Sequence, residues 1–509
     1  MTYREVLAHS VLTGILVISL FNSTRLLAQA DADDQDFSHQ WLQSYARDLS
    51  NRPFAPPVSA ATSPLRQLDY DDYRRIVFDP SAAVWKNESV PFQLQLFHPG
   101  FLHTETVNIN LVASGREAPL LFSTDQFQYH DSLPAINPAE VNGYAGFRIH
   151  HPINSAERFE EFLVFLGASY FRGVARHQFY GLSARGLAVN TVGAGVEEFP
   201  RFSDFWIEKP AADSRQIVVH ALLDSFSVTG AYRFVIRPGE TTVMDVEATL
   251  YPRRSIQAFG IAPLTSMFMF DASNSARFDD FRDAVHDSDG LWIQQSNGER
   301  VWRPMANPAQ LQVSAFGKQS PVAFGLMQRH TGFEDFNDAE ARYDKRPSLW
   351  IEPLHDWGAG HVELVEIPTV DEIHDNIVAY WQPAAALEPG QVYQFNYRLN
   401  WGQPVAEPGM IVETAAGSVP GTAERLFVID FADAASIEYV QQNHNLINMK
   451  ATTSAGTISD VSGTLLPESG LYRVYLKLDP EQADLAELRL TLQVGDRQWG
   501  ETWLYRWTK

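Results

Sequence analysis

Along most of the chain, apolar and polar residues alternate with a period of two. Phe92, Leu94 and Leu96 alternate with glutamines, and the same pattern recurs over Val107–Leu111. Successive side chains of a strand point to opposite faces of its sheet, so this alternation predicts half-buried antiparallel strands. Many such strands with few long helices predict a mainly β chain whose first domain is a large β-sandwich.

Three local patterns add detail. Apolar residues at helical spacing over Phe37–Leu49, behind a possible cap at Ser38, predict a helix, and Leu65–Val77 repeats that spacing. The alternating runs on either side of Pro238-Gly239-Glu240 predict a hairpin of two long strands, ending at Ile236 and restarting at Thr241.

The chain is too long, at 509 residues, for one ordinary hydrophobic core. Residues 404–420 are rich in Gly, Pro, Ala and Glu and are interpreted as a linker between a first domain, 31–403, and a second, 421–509. Alternation over Tyr472–Leu478 and Leu488–Val494 predicts that the second domain is a small immunoglobulin-like sandwich.

The N-terminus has the pattern of a secretory signal peptide. Arg4 precedes the apolar stretch Val11–Phe21, and Ala28-Gln29-Ala30 supplies a cleavage site. Residues 1–30 are therefore predicted to be removed and the mature chain to lie in the periplasm, an uncleaved anchor being the alternative. The absence of cysteine fits an oxidising compartment and excludes thiolate catalysis.

The charge of the chain limits its partners. Its 62 acidic and 39 basic residues give a net charge of −23, which repels the phosphates of nucleic acids and anionic lipids. We therefore expect no nucleic-acid partner. An aromatic content of 12% is compatible with a neutral polyhydroxylated ligand, because aromatic faces stack on sugar rings and carboxylates accept sugar hydroxyl protons.

The common short catalytic motifs are absent or incomplete. The segment Gly181–Gly186 resembles a nucleophile elbow, but its second glycine lies one position late. No dinucleotide or phosphate-binding glycine motif and no H-E-x-x-H zinc motif occurs. We therefore expect neither a cofactor nor a metal.

Acids, arginines and tryptophans concentrate between residues 280 and 385, in His286–Gly290, Tyr343–Pro353 and Glu372–Trp381. Hydrolysis of a glycosidic bond needs one carboxyl to protonate the leaving oxygen and another to activate water. Two acids on different loops of one sandwich face suit this chemistry, but spacing alone does not select the pair. The tryptophans of this region are candidates for stacking platforms or for core packing: Trp292, Trp302, Trp350 and Trp357.

Several segments resemble the osmoregulated periplasmic glucan biosynthesis proteins G and D, and the leader without twin arginines is closer to the G type. The segments are FDPSAAVW (78–85), FHPGF (97–101), FLGASYFRG (165–173), FYGLSARGLAVNT (179–191), EEFPRFSDFW (197–206), VHDSDGL (285–291), RPSLWIEP (346–353) and DNIVAYWQP (375–383). The resemblance implies a galactose-mutarotase-like β-sandwich followed by an immunoglobulin-like domain, acting on β-1,2-glucan. It also implies a homodimer, although the sequence itself shows no interface.

Within this family some members cleave β-1,2-glucan internally with inversion, and some relatives transfer the chain to another sugar. The resemblance implies that Asp375 is the general acid and Asp287 the general base. To donate at near-neutral pH, Asp375 must keep its proton through burial or a neighbouring acid such as Glu372. The substrate-binding residues expected on the sugar chain are Tyr343, Arg346, Trp350, Trp357 and Glu372.

Two functions of different classes remain open from the sequence. The first is a glycoside hydrolase or transglycosylase acting on β-1,2-glucan. The second is a non-catalytic glucan-binding or scaffold protein that assists a membrane glucan synthase. A mutarotase-like epimerase has only the sandwich in its favour, and a fold is weak support for a function.

Overall fold

The computed structural model describes residues 36–57, 63–130, 143–193, 195–432, 446–495 and 497–509, with the single residues 133, 141 and 442. The predicted signal peptide, residues 1–30, lies outside the described residues. Within the described ranges, no helix combines the length and the apolar character needed to cross a membrane.

The helices are few and the strands many. The α-helices are α1 (His39–Ser50), α2 (Ser63–Arg66) and α3 (Tyr70–Tyr73). Strands β1 to β17 are Ile76–Phe78, Gln93–Phe97, Asn108–Ala113, Arg116–Pro119, Phe127–Tyr129, Gly146–His151, Glu160–Leu166, Tyr170–Gly173, Ser183–Arg185, Leu187–Val189, Arg201–Glu208, Ile217–Asp224, Val228–Arg237, Thr242–Pro252, Phe259–Ser266, Phe268–Phe270 and Val285–His286. Strands β18 to β32 are Gly290–Gln294, Arg300–Pro304, Gln312–Phe316, Ala323–Met327, Ser348–Pro353, Gly360–Glu366, Ile377–Pro383, Tyr393–Gly402, Ile411–Ser418, Arg425–Ala432, Ile447–Thr453, Thr457–Leu466, Leu471–Asp479, Leu485–Val494 and Arg497–Thr508.

Two large sheets form the first sandwich. The ten-stranded sheet has the order β2-β6-β7-β8-β9-β15-β24-β23-β20, with β10 also paired to β15. It packs on the fourteen-stranded sheet, whose order is β28-β31-β32-β19-β18-β21-β22-β25-β14-β13-β12-β11-β3-β4. Alternate residues of both sheets, such as Phe171, Phe234 and Trp381, fill one continuous apolar core. The prediction of a mainly β sandwich is confirmed.

A second sandwich follows along the chain. The four-stranded sheet β26-β27-β30-β29 faces strands β28, β31 and β32, with a separate core that includes Phe427, Leu476 and Trp503. Strand β32 pairs in parallel with β19, so the fourteen-stranded sheet runs through both sandwiches. The segment predicted as a linker, 404–420, contains strand β26, which pairs with β27. The extended part of the connection therefore ends before Ile411.

The local predictions of helices and turns have mixed outcomes. Helix α1 forms as predicted, because the Trp41 N–H donates to the Ser38 hydroxyl at 3.1 Å. The hairpin around Pro238-Gly239-Glu240 is confirmed as β13 and β14. The helical pattern of Leu65–Val77 is wrong beyond its first turn. There the Asp69 carboxylate accepts the Asp72 N–H at 2.8 Å, so a second short helix starts and strand β1 follows.

A buried ion pair joins the two sandwiches. Arg329 and Glu501 make two contacts of 2.8 Å, and both side chains are only 2% exposed. The guanidinium carbon of Arg329 lies 3.6 Å from the centre of a Trp302 ring. Glu501 also accepts the backbone N–H of Ile411, at the start of β26, at 2.8 Å. The joint therefore contains a pair of opposite charges that is shielded from solvent.

The buried carboxyl group of Asp271, at the same joint, leads us to expect that the stability of the fold depends on pH. Burial raises its pKa to about 7, against two hydrogen bonds from Ser273. The native chain therefore holds a proton that the unfolded chain has released between pH about 4 and 7, so the unfolding free energy falls as pH rises. We expect Asp271→Asn, which keeps an acceptor for Ser273, to flatten that fall in urea unfolding at several pH values. An unchanged slope would contradict this assignment.

Candidate active site

Asp287 and Asp375 are attached to the same short backbone segment. The N–H of Asp287 donates to the Met267 carbonyl at 2.9 Å. The side chain of Asn376, next to Asp375, accepts the Phe268 N–H at 2.8 Å and donates to the Phe268 carbonyl at 3.0 Å. Asp287 and the neighbour of Asp375, which are distant in sequence, are thus held by the consecutive residues Met267 and Phe268 at the start of β16.

Asp287 is the more buried of the two carboxyls. Its residue is 4% exposed, and one carboxylate oxygen accepts a hydrogen bond from the Arg346 guanidinium. Burial raises the pKa of Asp287, Arg346 opposes that rise, and the negative charge of Asp375 adds to it. The charge state of Asp375 therefore affects the pKa of Asp287, so the two carboxyl groups are electrostatically coupled.

Asp375 lies on the more open side. Its side chain is 34% exposed, and its Oδ2 accepts a hydrogen bond from Arg172 Nη2 at 3.2 Å. Of the two causes expected to keep a proton on Asp375, burial or a neighbouring acid, the burial is found at Asp287 instead. The structure places the cation of Arg172 beside Asp375.

Three further predicted residues lie beside Asp287. The guanidinium carbon of Arg346 lies 4.2 Å from the centre of the Tyr343 ring. The Tyr343 hydroxyl donates to Glu372 Oε2 at 3.0 Å, and Arg282 Nη1 donates to the same oxygen at 2.9 Å. Burial raises the pKa of Tyr343, so its hydroxyl stays a donor at neutral pH. The structure brings Tyr343, Arg346 and Glu372 together as one network.

The two predicted sugar-binding tryptophans lie elsewhere, which corrects the sequence-based expectation. Trp357 is buried in the core of the first sandwich, 5.9 Å from the Tyr397 ring and nearly perpendicular to it. Trp350 lies on the face of β22 that packs against the second sandwich, and its indole N–H donates to Glu352 at 3.1 Å. Strand alternation decides this placement, because neighbours Leu349 and Ile351 occupy the inner face.

Several residues near Asp375 were not selected from the sequence. In β8, Phe171 enters the core, so Tyr170 and Arg172 point to the outer face of the ten-stranded sheet. The Arg185 guanidinium lies 5.0 Å from the Tyr170 ring centre and donates to Glu197 at 3.0 Å. Burial raises the pKa of Tyr170, Arg185 opposes the rise, and the negative charges of Glu197 and Asp375 add to it. The alternation in Tyr170-Phe171-Arg172 was the available signal.

The incomplete nucleophile-elbow segment has a structural role. A side-chain carbon at Gly181 would lie 3.0 Å from the Cβ of Arg346, so glycine leaves room for the arginine stem. The Phe179 N–H donates to the Lys345 carbonyl at 2.9 Å and fixes the same loop. Within the described ranges, no group of three or more His, Asp or Glu side chains is placed to hold a metal ion.

The comparisons with known proteins decide the family. A family model described as "Periplasmic glucan biosynthesis protein, MdoG" matches residues 37–507. The chain belongs to this family. A "Glucans biosynthesis protein G" of Vibrio cholerae is 47% identical over 478 residues, covering 93% of this chain and 87% of the relative. One from Rhodopseudomonas palustris is 44% identical over 509 residues, covering 98% of this chain and 99% of the relative.

Membership of the periplasmic glucan biosynthesis family places the role of the chain in glucan biosynthesis. Similarity to solved structures is much weaker. An α-galactosidase from Geobacillus stearothermophilus has a TM-score of 0.27 at 8% identity, covering 50% of this chain and 39% of the other. A galactose mutarotase related enzyme from Lactobacillus acidophilus has a TM-score of 0.23 at 8% identity, covering 51% and 95%. Neither likeness supports an inference about function.

Proposed function

We propose that this chain is a periplasmic enzyme that acts on the β-1,2-glucan backbone, as an inverting endo-glucanase or as a transglycosylase. The observation that carries the proposal is that Asp287 is hydrogen-bonded to Met267 and Asn376, the neighbour of Asp375, to Phe268, with a charge interaction between the two carboxyls. Two carboxyls of unequal burial are what acid and base roles require.

In this mechanism Asp287 is the general base. Its raised pKa makes it a stronger base than an exposed aspartate, while the Arg346 contact favours the ionised form that accepts a proton. Asp375 is the general acid. A glucan chain lying over Asp375 would displace water from the carboxyl group, and this loss of solvation favours the protonated form that must donate.

The surrounding side chains suit a neutral sugar chain. Tyr343, Arg346 and Glu372 offer donors and acceptors beside the base, and Tyr170 and Arg172 continue the polar surface past the acid. Hydroxyl groups of a sugar pair with such groups in both directions. The acceptor, water or another sugar, then decides between hydrolysis and transfer.

One observation favours the non-catalytic alternative, in which the chain binds glucan and assists a membrane glucan synthase. The Asp375 side chain is already hydrogen-bonded to Arg172, an arrangement that suits a carboxylate rather than a proton donor. Such a site would hold a glucan chain without cleaving it.

One assay separates the two functions. Purified protein is incubated with linear β-1,2-glucan, and chain length is followed by mass spectrometry, with binding measured by calorimetry. Shortened chains or transfer products support the enzyme. Unchanged chains with retained binding would assign the site to a binding protein. Equal shortening or transfer with a β-1,3-linked glucan would contradict the proposed specificity for the β-1,2 linkage.

A further inference from the structure

A histidine links the loop of Asp287 to the second sandwich. The Nδ1 of His330 lies 2.9 Å from Asp289 Oδ2, and its Nε2 lies 3.1 Å from Glu413 Oε2. Asp289 belongs to the same turn as Asp287, whereas Glu413 belongs to β26 of the second sandwich. One imidazole ring therefore spans the joint between the two sandwiches.

The geometry fixes the protonation of this ring. An ionised carboxylate only accepts hydrogen bonds, so each ring nitrogen must carry a proton and the ring must be an imidazolium. Burial opposes this state, but the hydrogen bonds to Asp289 and Glu413 raise the pKa of His330 well above its usual value. In the reverse direction His330 helps to keep the pKa of buried Asp289 low.

Asp289 in turn fixes the backbone that carries Asp287. Its Oδ2 also accepts the N–H groups of Arg329 at 3.0 Å and His330 at 3.3 Å, and its own N–H donates to the Met327 carbonyl at 2.8 Å. With Asp287 only two residues away, a shift of Asp289 would move the proposed base relative to the sugar.

Other titratable and charged side chains also surround the His330 ring. His286 faces it edge-on with ring centres 6.0 Å apart, and burial lowers the pKa of His286 to about 4, so that ring is neutral. The Arg329 guanidinium is held by Glu501. Asp271 interacts with both His330 and Glu413. Asp289 and Glu413 remain the direct partners.

We propose that His330 is a positioning residue. As an imidazolium held between Asp289 and Glu413, it fixes the turn that carries Asp287, so that the second sandwich completes the glucan-processing site. This inference rests on the proposed function, and it gives the second sandwich a defined task. It also predicts that the site loosens as pH rises through the raised pKa of His330, because the charge that joins the two carboxylates is then lost.

Glu413→Gln tests the proposal, because it keeps the size and a hydrogen-bond acceptor but removes the charge. Glu468→Gln, at an exposed site of the same sandwich, is the matched control. NMR titration of the His330 ring in the full chain is expected to show a proton affinity at least about tenfold lower in Glu413→Gln. The control is expected to match the wild type. A ring that titrates in the wild type at the usual value for histidine would overturn the proposal.

Activity supplies the second readout. In Glu413→Gln, the alkaline fall of kcat on linear β-1,2-glucan is expected to move to lower pH by the same amount as the His330 titration, with KM unchanged. His330→Gln, which keeps one donor without charge, is expected to lower kcat about tenfold, and a KM effect alone would contradict a positioning role. If the wild type neither cleaves nor transfers glucan, the proposed function fails, while the titration still decides the charge and contacts of His330.

Discussion

Asp287→Asn is expected to lower the turnover of β-1,2-glucan by at least about 10²-fold, the lower range for loss of a general base. Asparagine has nearly the same shape, and its amide oxygen still accepts from Arg346, so the buried site stays filled. What disappears is the group that accepts the proton. Initial rates measured from new reducing ends, or from transfer products, check this expectation.

Asp375→Asn is expected to lower the turnover of β-1,2-glucan by a similar factor, because the leaving oxygen then receives no proton. The two roles are separable with a β-1,2-linked donor that carries fluoride at the anomeric carbon. Fluoride leaves without protonation, so such a donor should restore most of the rate in Asp375→Asn and little in Asp287→Asn. The opposite pattern would reverse the assignments.

Asp213→Asn provides the control for both aspartate variants. Asp213 is exposed in the connection between β11 and β12, and its replacement by asparagine is expected to leave the rate unchanged. Thermal unfolding of all three variants should show an intact fold. Rates at the wild-type level in either site variant would remove that aspartate from the mechanism.

The β architecture was readable from the sequence because alternation is a local signal. Strands such as β8 and β24 place large apolar residues, Phe171 and Trp381, in the core, and the turn chemistry at Pro238-Gly239-Glu240 marks a hairpin. The failure at Leu65–Val77 has an equally local cause, since Asp69 caps a new helix within the apolar pattern. Helical spacing does not by itself reveal such a break.

The candidate site was only partly readable. Asp287, Tyr343, Arg346 and Glu372 lie in polar loops between strands, where acids and arginines concentrate in the sequence, but it was the family resemblance that assigned roles to Asp287 and Asp375. Trp350 and Trp357 were chosen for residue type, and type does not say which face of a sheet a tryptophan occupies. Arg172 sits within a strand far along the chain from the acidic region, and only the sheet order β8-β9-β15-β24 brings it to Asp375.

The joint between the sandwiches could not be predicted from the sequence, because it is built from contacts between residues that are far apart in the chain. Nothing near Arg329 in the sequence identifies Glu501 as its partner, and the parallel pairing of β19 with β32 joins strands about two hundred positions apart. The linker-like composition of residues 404–420 conceals that strand β26 lies within this segment and packs at the joint. The contact of His330 with Glu413 could not be predicted for the same reason, because the two residues are far apart in the sequence.

Glu501→Gln is expected to destabilise the chain by about 3–5 kcal/mol, the usual cost of breaking a buried ion pair by removing one partner. The Arg329 cation would remain 2% exposed without a counter-charge, and the Ile411 N–H would keep only a neutral acceptor. Unfolding in guanidinium chloride, followed by tryptophan fluorescence, measures the change in unfolding free energy. Trp302 is a suitable probe because its ring lies against the Arg329 side chain.

Glu407→Gln is the matched control, because Glu407 pairs with Arg300 at the same joint but is 61% exposed. A solvent-exposed pair contributes at most about 1 kcal/mol, so this variant should unfold almost like the wild type. The double replacement Arg329→Met with Glu501→Leu should recover most of the loss, since it removes both charges together. Equal stability of Glu501→Gln and Glu407→Gln would show that the buried pair does not hold the joint. If it does hold it, Glu501→Gln should also release β26, and with it Glu413, so that glucan turnover falls at temperatures where the first sandwich is still folded.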